Sequence, residues 1–323
     1  MTCFVGQSCV SGSCQFTGCT GSHVPGDYAT VQAALTAVGG AAGGTICLAA
    51  QAYNETINTA GLLIEPVPIT IQGVGPGMSI LNGVNWAASG MTLSLVGLTI
   101  HQLLLQDANE NATTISLRAT TVDGVGAAAT NDGALYAFLS YPLTLNLDGV
   151  DLSSGSTPYA LEVGTLGGGV LTLNVVNSYI HGSTSGVSVS LGGALASELA
   201  ATFENDTFES NGTAFIEPAG SGATLQFWNN LVVNNMVGVS TGGGSTFGNN
   251  AYFGNTTNFA GTAIAGTGVV EANPDLATGT SPPGLLAGSP CRGAGDPSHA
   301  PNHDFYGRAR GASVDIGAVQ SSP

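Results

Sequence analysis

The stretch Leu173-Asn174-Val175-Val176-Asn177-Ser178-Tyr179-Ile180-His181-Gly182 decides the fold. Leu173 and Val175 alternate with Asn174 and Val176, the period of a strand with one buried face. The alternation stops at Asn177, and an apolar residue returns three positions later at Ile180. The same phrase, two alternating apolar residues followed by Gly, Ala or Asn, recurs along the chain. Its corner residues are Ala50, Gly73, Gly97, Ala119, Gly149, Asn177, Asn205, Asn229 and Asn249, spaced by 23, 24, 22, 30, 28, 28, 24 and 20 residues. A period of this length, with strand alternation inside each unit, is that of a solenoid. Helical repeats lack the alternation, and propeller blades need about 40 residues.

The expected fold is therefore all-β: a single-stranded right-handed parallel β-helix of about nine coils over residues 23–271. The corner is where the chain leaves one strand for the next, and Gly and Asn tolerate the left-handed conformation best. Ala50 and Ala119 do not share that preference, so their corners are expected to differ. Equivalent residues of stacked coils lie about 4.8 Å apart. Asn177, Asn205 and Asn229, extended by Asn249, are thus expected to form a column hydrogen-bonded from coil to coil. A solenoid needs capped ends. Val31, Ala34, Leu35 and Val38 share one face of a short helix with Thr30 as N-cap and Gly39-Gly40 as its stop. Residues 272–323 are rich in Pro and Gly, lose the repeat, and are expected to wrap the last coil as an irregular cap.

Charged residues are only 7% of the 323, and 20 Asp and Glu face four Arg and no Lys, a net charge of −16. Such a chain cannot neutralise many phosphates, which excludes nucleic acid as a partner. No run of about 18 apolar residues occurs, so no membrane insertion is expected. Cys3, Cys9, Cys14 and Cys19 crowd residues 1–22, and Cys47 and Cys291 make six. A small Gly/Ser-rich segment with four Cys needs staples, which favours disulfides over the rival zinc knuckle. An extracellular or cell-surface location follows from that reading. Cys291 lies far from the others in an extended solenoid, so complete pairing predicts a link to a neighbouring subunit and head-to-tail filaments.

The residues of 28–83, "YATVQAALTAVGGAAGGTICLAAQAYNETI…ITIQGVGPGMSILNG", resemble the opening of right-handed parallel β-helix proteins of the pectin-lyase-like superfamily. Gly43-Gly44-Thr45 and Tyr53-Asn54-Glu55 carry the likeness. The ending is similar to the choice-of-anchor-like segment of bacterial secreted β-helix proteins, through Ser289-Pro290, Asp304, Gly307, Arg310 and Asp315-Ile316-Gly317-Ala318. The superfamily includes lyases, hydrolases, esterases and adhesins, so the resemblance specifies fold more than reaction.

Lyases of this fold use an Arg or Lys base with carboxylates that hold calcium. Arg118 with Asp123, Asp148 and Asp151 is the nearest constellation here, with calcium its possible metal and no other cofactor implied. Arg118 should stack beside Asp148, and an exposed cross-strand ion pair is the competing explanation. His101, Asp123, Ser153, His181 and Glu209 should form an outward column. His101, Asp123 and Ser153 stand in the wrong order for a triad, which needs His between Ser and acid. His181 should pair with Glu209. Trp86 and Trp228 are candidate sugar platforms. Arg292, Arg308 and Arg310 beside Asp296, Asp304 and Asp315 are expected to pin the cap by ion pairs. The expected function is a secreted or cell-surface structural or adhesion solenoid. The alternatives are a polysaccharide lyase, a glycoside hydrolase or a non-catalytic polysaccharide-binding protein.

Overall fold

A computed structural model describes residues 7–10, 13–59, 67–87, 90, 92–106, 112–127, 133–165, 170–191, 199–217 and 224–321. From Thr92 to Gly261 the chain makes seven full coils, each giving one strand to each of three parallel stacks. The fold is the expected all-β parallel solenoid. In the first stack Leu173 lies between Leu145 and Ala201, and Val175 between Leu147 and Phe203. These side chains are buried, as is Ile180 in the short second stack. The later coils fill the bore with aromatic rings: Phe203, Phe208, Phe215 and Phe227 lie with centroids 5.2–6.4 Å apart.

The coil count is seven full coils rather than nine, and the corners explain why. Gly97, Ala119, Gly149, Asn177, Asn205, Asn229 and Asn249 all have positive φ, between 47° and 64°. Ala50 and Gly73 do not. Without the left-handed kink the following strand does not split. Ile80–Trp86 runs through both later stacks, pairing with Thr99–Ile100 at one end and with Leu103–Leu105 at the other. The first coils are thus two-stranded. Ala119 adopts the left-handed corner despite its Cβ, so of the two Ala corners only Ala50 departs from the pattern.

The helix α1, Val31–Gly39, closes the N-terminal end with Val31, Ala34, Leu35 and Val38 buried. The Thr30 hydroxyl caps it by accepting from Ala33 N, and Gly40 terminates it. The Glu55 carboxylate accepts from Val31 N and Gln32 N, satisfying two more of the helix's free donors. Cys19 is disulfide-bonded to Cys47, which anchors the N-terminal segment to the first stack. Cys9 and Cys14 stand opposite each other in the hairpin of Gln7–Val10 and Ser13–Phe16. Cys3 lies outside the described residues.

The C-terminal segment does not wrap the last coil. It returns along the outside of the corners as a strap, from Ala294 beside Asn249 to His303 beside Asp148. Cys291 is a free thiol buried under it against Leu231, Val233, Ala251 and Ile316, and burial pushes its pKa up to about 11. Among the described residues it pairs with no cysteine, and its side chain is fully covered in this packing.

Candidate binding groove

The strap decides what the expected site residues do. Arg118 and Asp148 are neighbours in register, with Nε 4.0 Å from Oδ2. Asp148 also meets His303, whose Nε2 lies 3.0 Å from both carboxylate oxygens, and accepts from Asn177 Nδ2 at 3.3 Å. Asp151 and Asp123 lie beyond the corner in or just past the second stack. Asp151 is bonded to His181 Nε2 and Asp123 to His101 Nδ1, each at 2.9 Å. The four candidates for a lyase site are thus divided among three separate partnerships. Among the described residues no three His, Cys, Asp or Glu converge as a metal-holding group.

Other expectations are corrected in detail. His181 stands beside Glu209 in register but bonds Asp151 instead. Glu209 takes the Tyr179 hydroxyl at 2.7 Å, and burial with that bond holds the phenol protonated. Trp86 is buried in the bore, and Trp228 is covered by His299, stacked on it at 3.9 Å. Neither is a sugar platform. Of the terminal ion pairs, Arg308 with Asp304 is present, its Nε donating at 2.8 Å. Arg310 is different. It is buried and donates to the carbonyls of His303, Gly317 and Ala318 and to the side chains of Asn177 and Gln320. Asp315 accepts from Gly293 N and Ser321 N.

A concave region is open among the described residues. It is a groove of about 520 Å³ where the second stack hands over to the third. That size is in the range of small-ligand sites. The strand Ile80–Trp86 supplies Asn82 and Asn85, the next strand supplies Leu104, and the turn between stacks supplies His101 and Gln102. Its lip is Val125–Ala127. The lip is held because Asp123 Oδ1 accepts from Val125 N at 3.0 Å while also bonding His101. Asn85 Oδ1 and Gln102 Nε2 are buried and have no hydrogen-bond partner. A buried amide atom without a partner costs on the order of 1–3 kcal/mol.

An aromatic surface continues the groove. Leu104 is in register with Tyr136 and Gln106 with Phe138. Both rings stand on the outer side of the third stack, stacked at 4.7 Å. Sequence reading passed over this pair, although two aromatics at outward, alternate positions of "GALYAFL" were the available signal. Asn85 and Gln102 carried no signal, because their lack of partners is a property of packing. Comparison with protein-family models, curated proteins and solved structures returns no match.

Proposed function

We propose that the chain is a secreted or cell-surface β-solenoid that adheres to neutral carbohydrate through this groove, without turning it over. The observation that carries the reading is the pair of unpartnered amides, Asn85 Oδ1 and Gln102 Nε2, at one end of the half-buried Tyr136–Phe138 surface. A sugar offers hydroxyls to amides of both polarities and C–H faces to aromatic rings. The groove lining contains no Arg or Lys, and the whole chain carries −16, so a polyanion is disfavoured. Location outside the cell is part of the proposal; the Cys19–Cys47 disulfide supports it. So are the superfamily resemblance and the choice-of-anchor-like ending, which rest on the motif residues.

Glycoside hydrolysis takes two flanking carboxylates. Among the described residues the groove lining holds no Asp or Glu; Asp123 is bonded to its His101, and Glu162 stands in register beside Tyr136, a coil further along. That His–Asp pair is also the one observation that favours an enzyme, with His101 as base. Calorimetric titration with neutral oligosaccharides and with oligouronates separates the readings. Neutral ligands should bind, with Tyr136→Ala and Asn85→Ala each weakening affinity roughly tenfold, about 1.4 kcal/mol. Absence of binding to every ligand sinks the proposal. Product release from a polysaccharide panel with calcium, lost in His101→Ala, would replace adhesion by catalysis; loss in Arg118→Ala and Asp148→Ala would restore the lyase reading.

A further inference from the structure

The charge of this protein is unevenly placed. From Pro218 to Val270, 53 residues, there is no Asp, Glu, Lys, Arg or His, while all 24 Asp, Glu and Arg of the chain lie elsewhere. That run builds the last two full coils. The strand Thr257–Gly261 ends the third stack and pairs only with Val237–Thr241. It contains neither charge nor Pro, two of the devices that keep sheet edges from pairing. Around it the apolar surface is incompletely covered. Phe259, Ala263 and Val269 are only partly buried against the bore, and Met236, Phe253 and Ile264 are 67%, 37% and 60% exposed.

We infer that this end is a self-association surface, through which two copies join tail to tail into a closed dimer. A second copy is the partner that the charge distribution suits. Two bodies of −16 repel at any other approach, and here neutral ends meet while the charged coils point apart. A two-fold axis sets the Thr257–Gly261 edges antiparallel, so the contact is isologous and stops at two. The other end cannot serve, because α1 packs over the strands Ser22–Val24 and Ala52–Asn58 that end the stacks there. Glu271, the first charged residue after the run, stands at the rim and accepts from Asn258 Nδ2 at 3.5 Å. It meets its own copy across the axis and weakens the contact. The inference does not rest on the carbohydrate reading.

Sedimentation of the full chain across a concentration series tests it. Wild type should reach twice the chain mass and go no further. Ile264→Lys and Thr257→Lys, both at exposed positions, should lose the dimer while keeping wild-type melting curves. Glu271→Gln should shift the midpoint to lower concentration. Val170→Lys, an exposed apolar site elsewhere, should change nothing. A monomer at all concentrations, a dimer indifferent to Ile264→Lys and Thr257→Lys, or growth beyond two copies would each overturn it.

Discussion

Asn229 and Asn230 stand side by side in the chain and belong to two different columns. Asn229 and its equivalents are the left-handed corners. Their amides turn outward to the strap: Asn249 donates to Ala294 O, Asn229 to Asp296 O and His299 O, and Asn205 to Asp315 O. Only Asn229 bonds the next corner amide, Asn205, at 3.3 Å. Asn230 and its equivalents turn inward and bind coil to coil. Ser178 N donates to Asp206 Oδ1, Asp206 N to Asn230 Oδ1 and Asn230 N to Asn250 Oδ1, at 2.7–2.8 Å. A second inward ladder repeats this through Ser183, Asn211, Asn235 and Asn255. Conformation and bonding are therefore separate demands. Corners that make no hydrogen bond to the strap, Gly97, Ala119 and Gly149, meet the first demand without an amide. The four that bond it are all Asn.

Breaking the inward column should cost most. Asn230→Ala removes the acceptor of Asp206 N and the donor to Phe203 O, both buried, and leaves a void. The expected loss is roughly 4 kcal/mol, read as a lower urea midpoint at unchanged slope. Arg310→Met comes next, at roughly 3 kcal/mol, because it strips donors from several carbonyls at once. Burial lowers the Arg310 pKa to about 10, so the native strap holds a charged guanidinium at neutral pH. Limited proteolysis should then cut residues 294–321 while the coils stay resistant. Asn229→Gly keeps the left-handed backbone and loses the strap bonds together with the one bond to Asn205. It should cost about 1–2 kcal/mol and also expose the strap rather than unfold the coils.

Asp206 sharpens the contrast from within the ladder. Asn230 and Asn250 donate to Phe203 O and Phe227 O, and the register makes Val175 O the equivalent acceptor for position 206. A carboxylate has no proton to give, and Asp206 Oδ2 is buried without a partner. Burial raises its pKa well above the ordinary range, offset partly by Ser178 N and by Arg310. A raised carboxyl pKa gives stability that is complete below the unfolded value and lost as pH rises through the folded one. Asp206→Asn should therefore stabilise by about 1–2 kcal/mol at pH 8, with the gain vanishing towards pH 4. Denaturation at both pH values checks this; a pH-independent difference would refute it. The smallest effect is at the corner without amide or glycine. Ala119→Gly should gain up to about 1 kcal/mol by relieving the φ of 47°.

The periodic features were legible: the corner positions, the N-cap Thr30, and the register that sets Arg118 beside Asp148 and His181 beside Glu209. Register fixes which backbones are adjacent but not where a side chain swings, so His181 took Asp151 instead. The strap was not legible, because it binds through carbonyls that every residue possesses. For the same reason the corner Asn residues read as bonding to one another. The groove's aromatic pair was readable in "GALYAFL", whereas the unpartnered Asn85 and Gln102 amides emerge only from three-dimensional packing.

The strap also changes how this solenoid can come apart and how it is made. Coils that touch only their neighbours can fray one at a time from an end. Here contacts between residues 155 positions apart, Asp148 and His303, lock five coils into one cooperative block. On a ribosome those coils emerge long before the residues that fasten them. Asn177, Asn205 and Asn229 remain without their outer partners until residues 296–315 have been synthesised, so the nascent solenoid passes through a stage of complete coils with an unsealed flank.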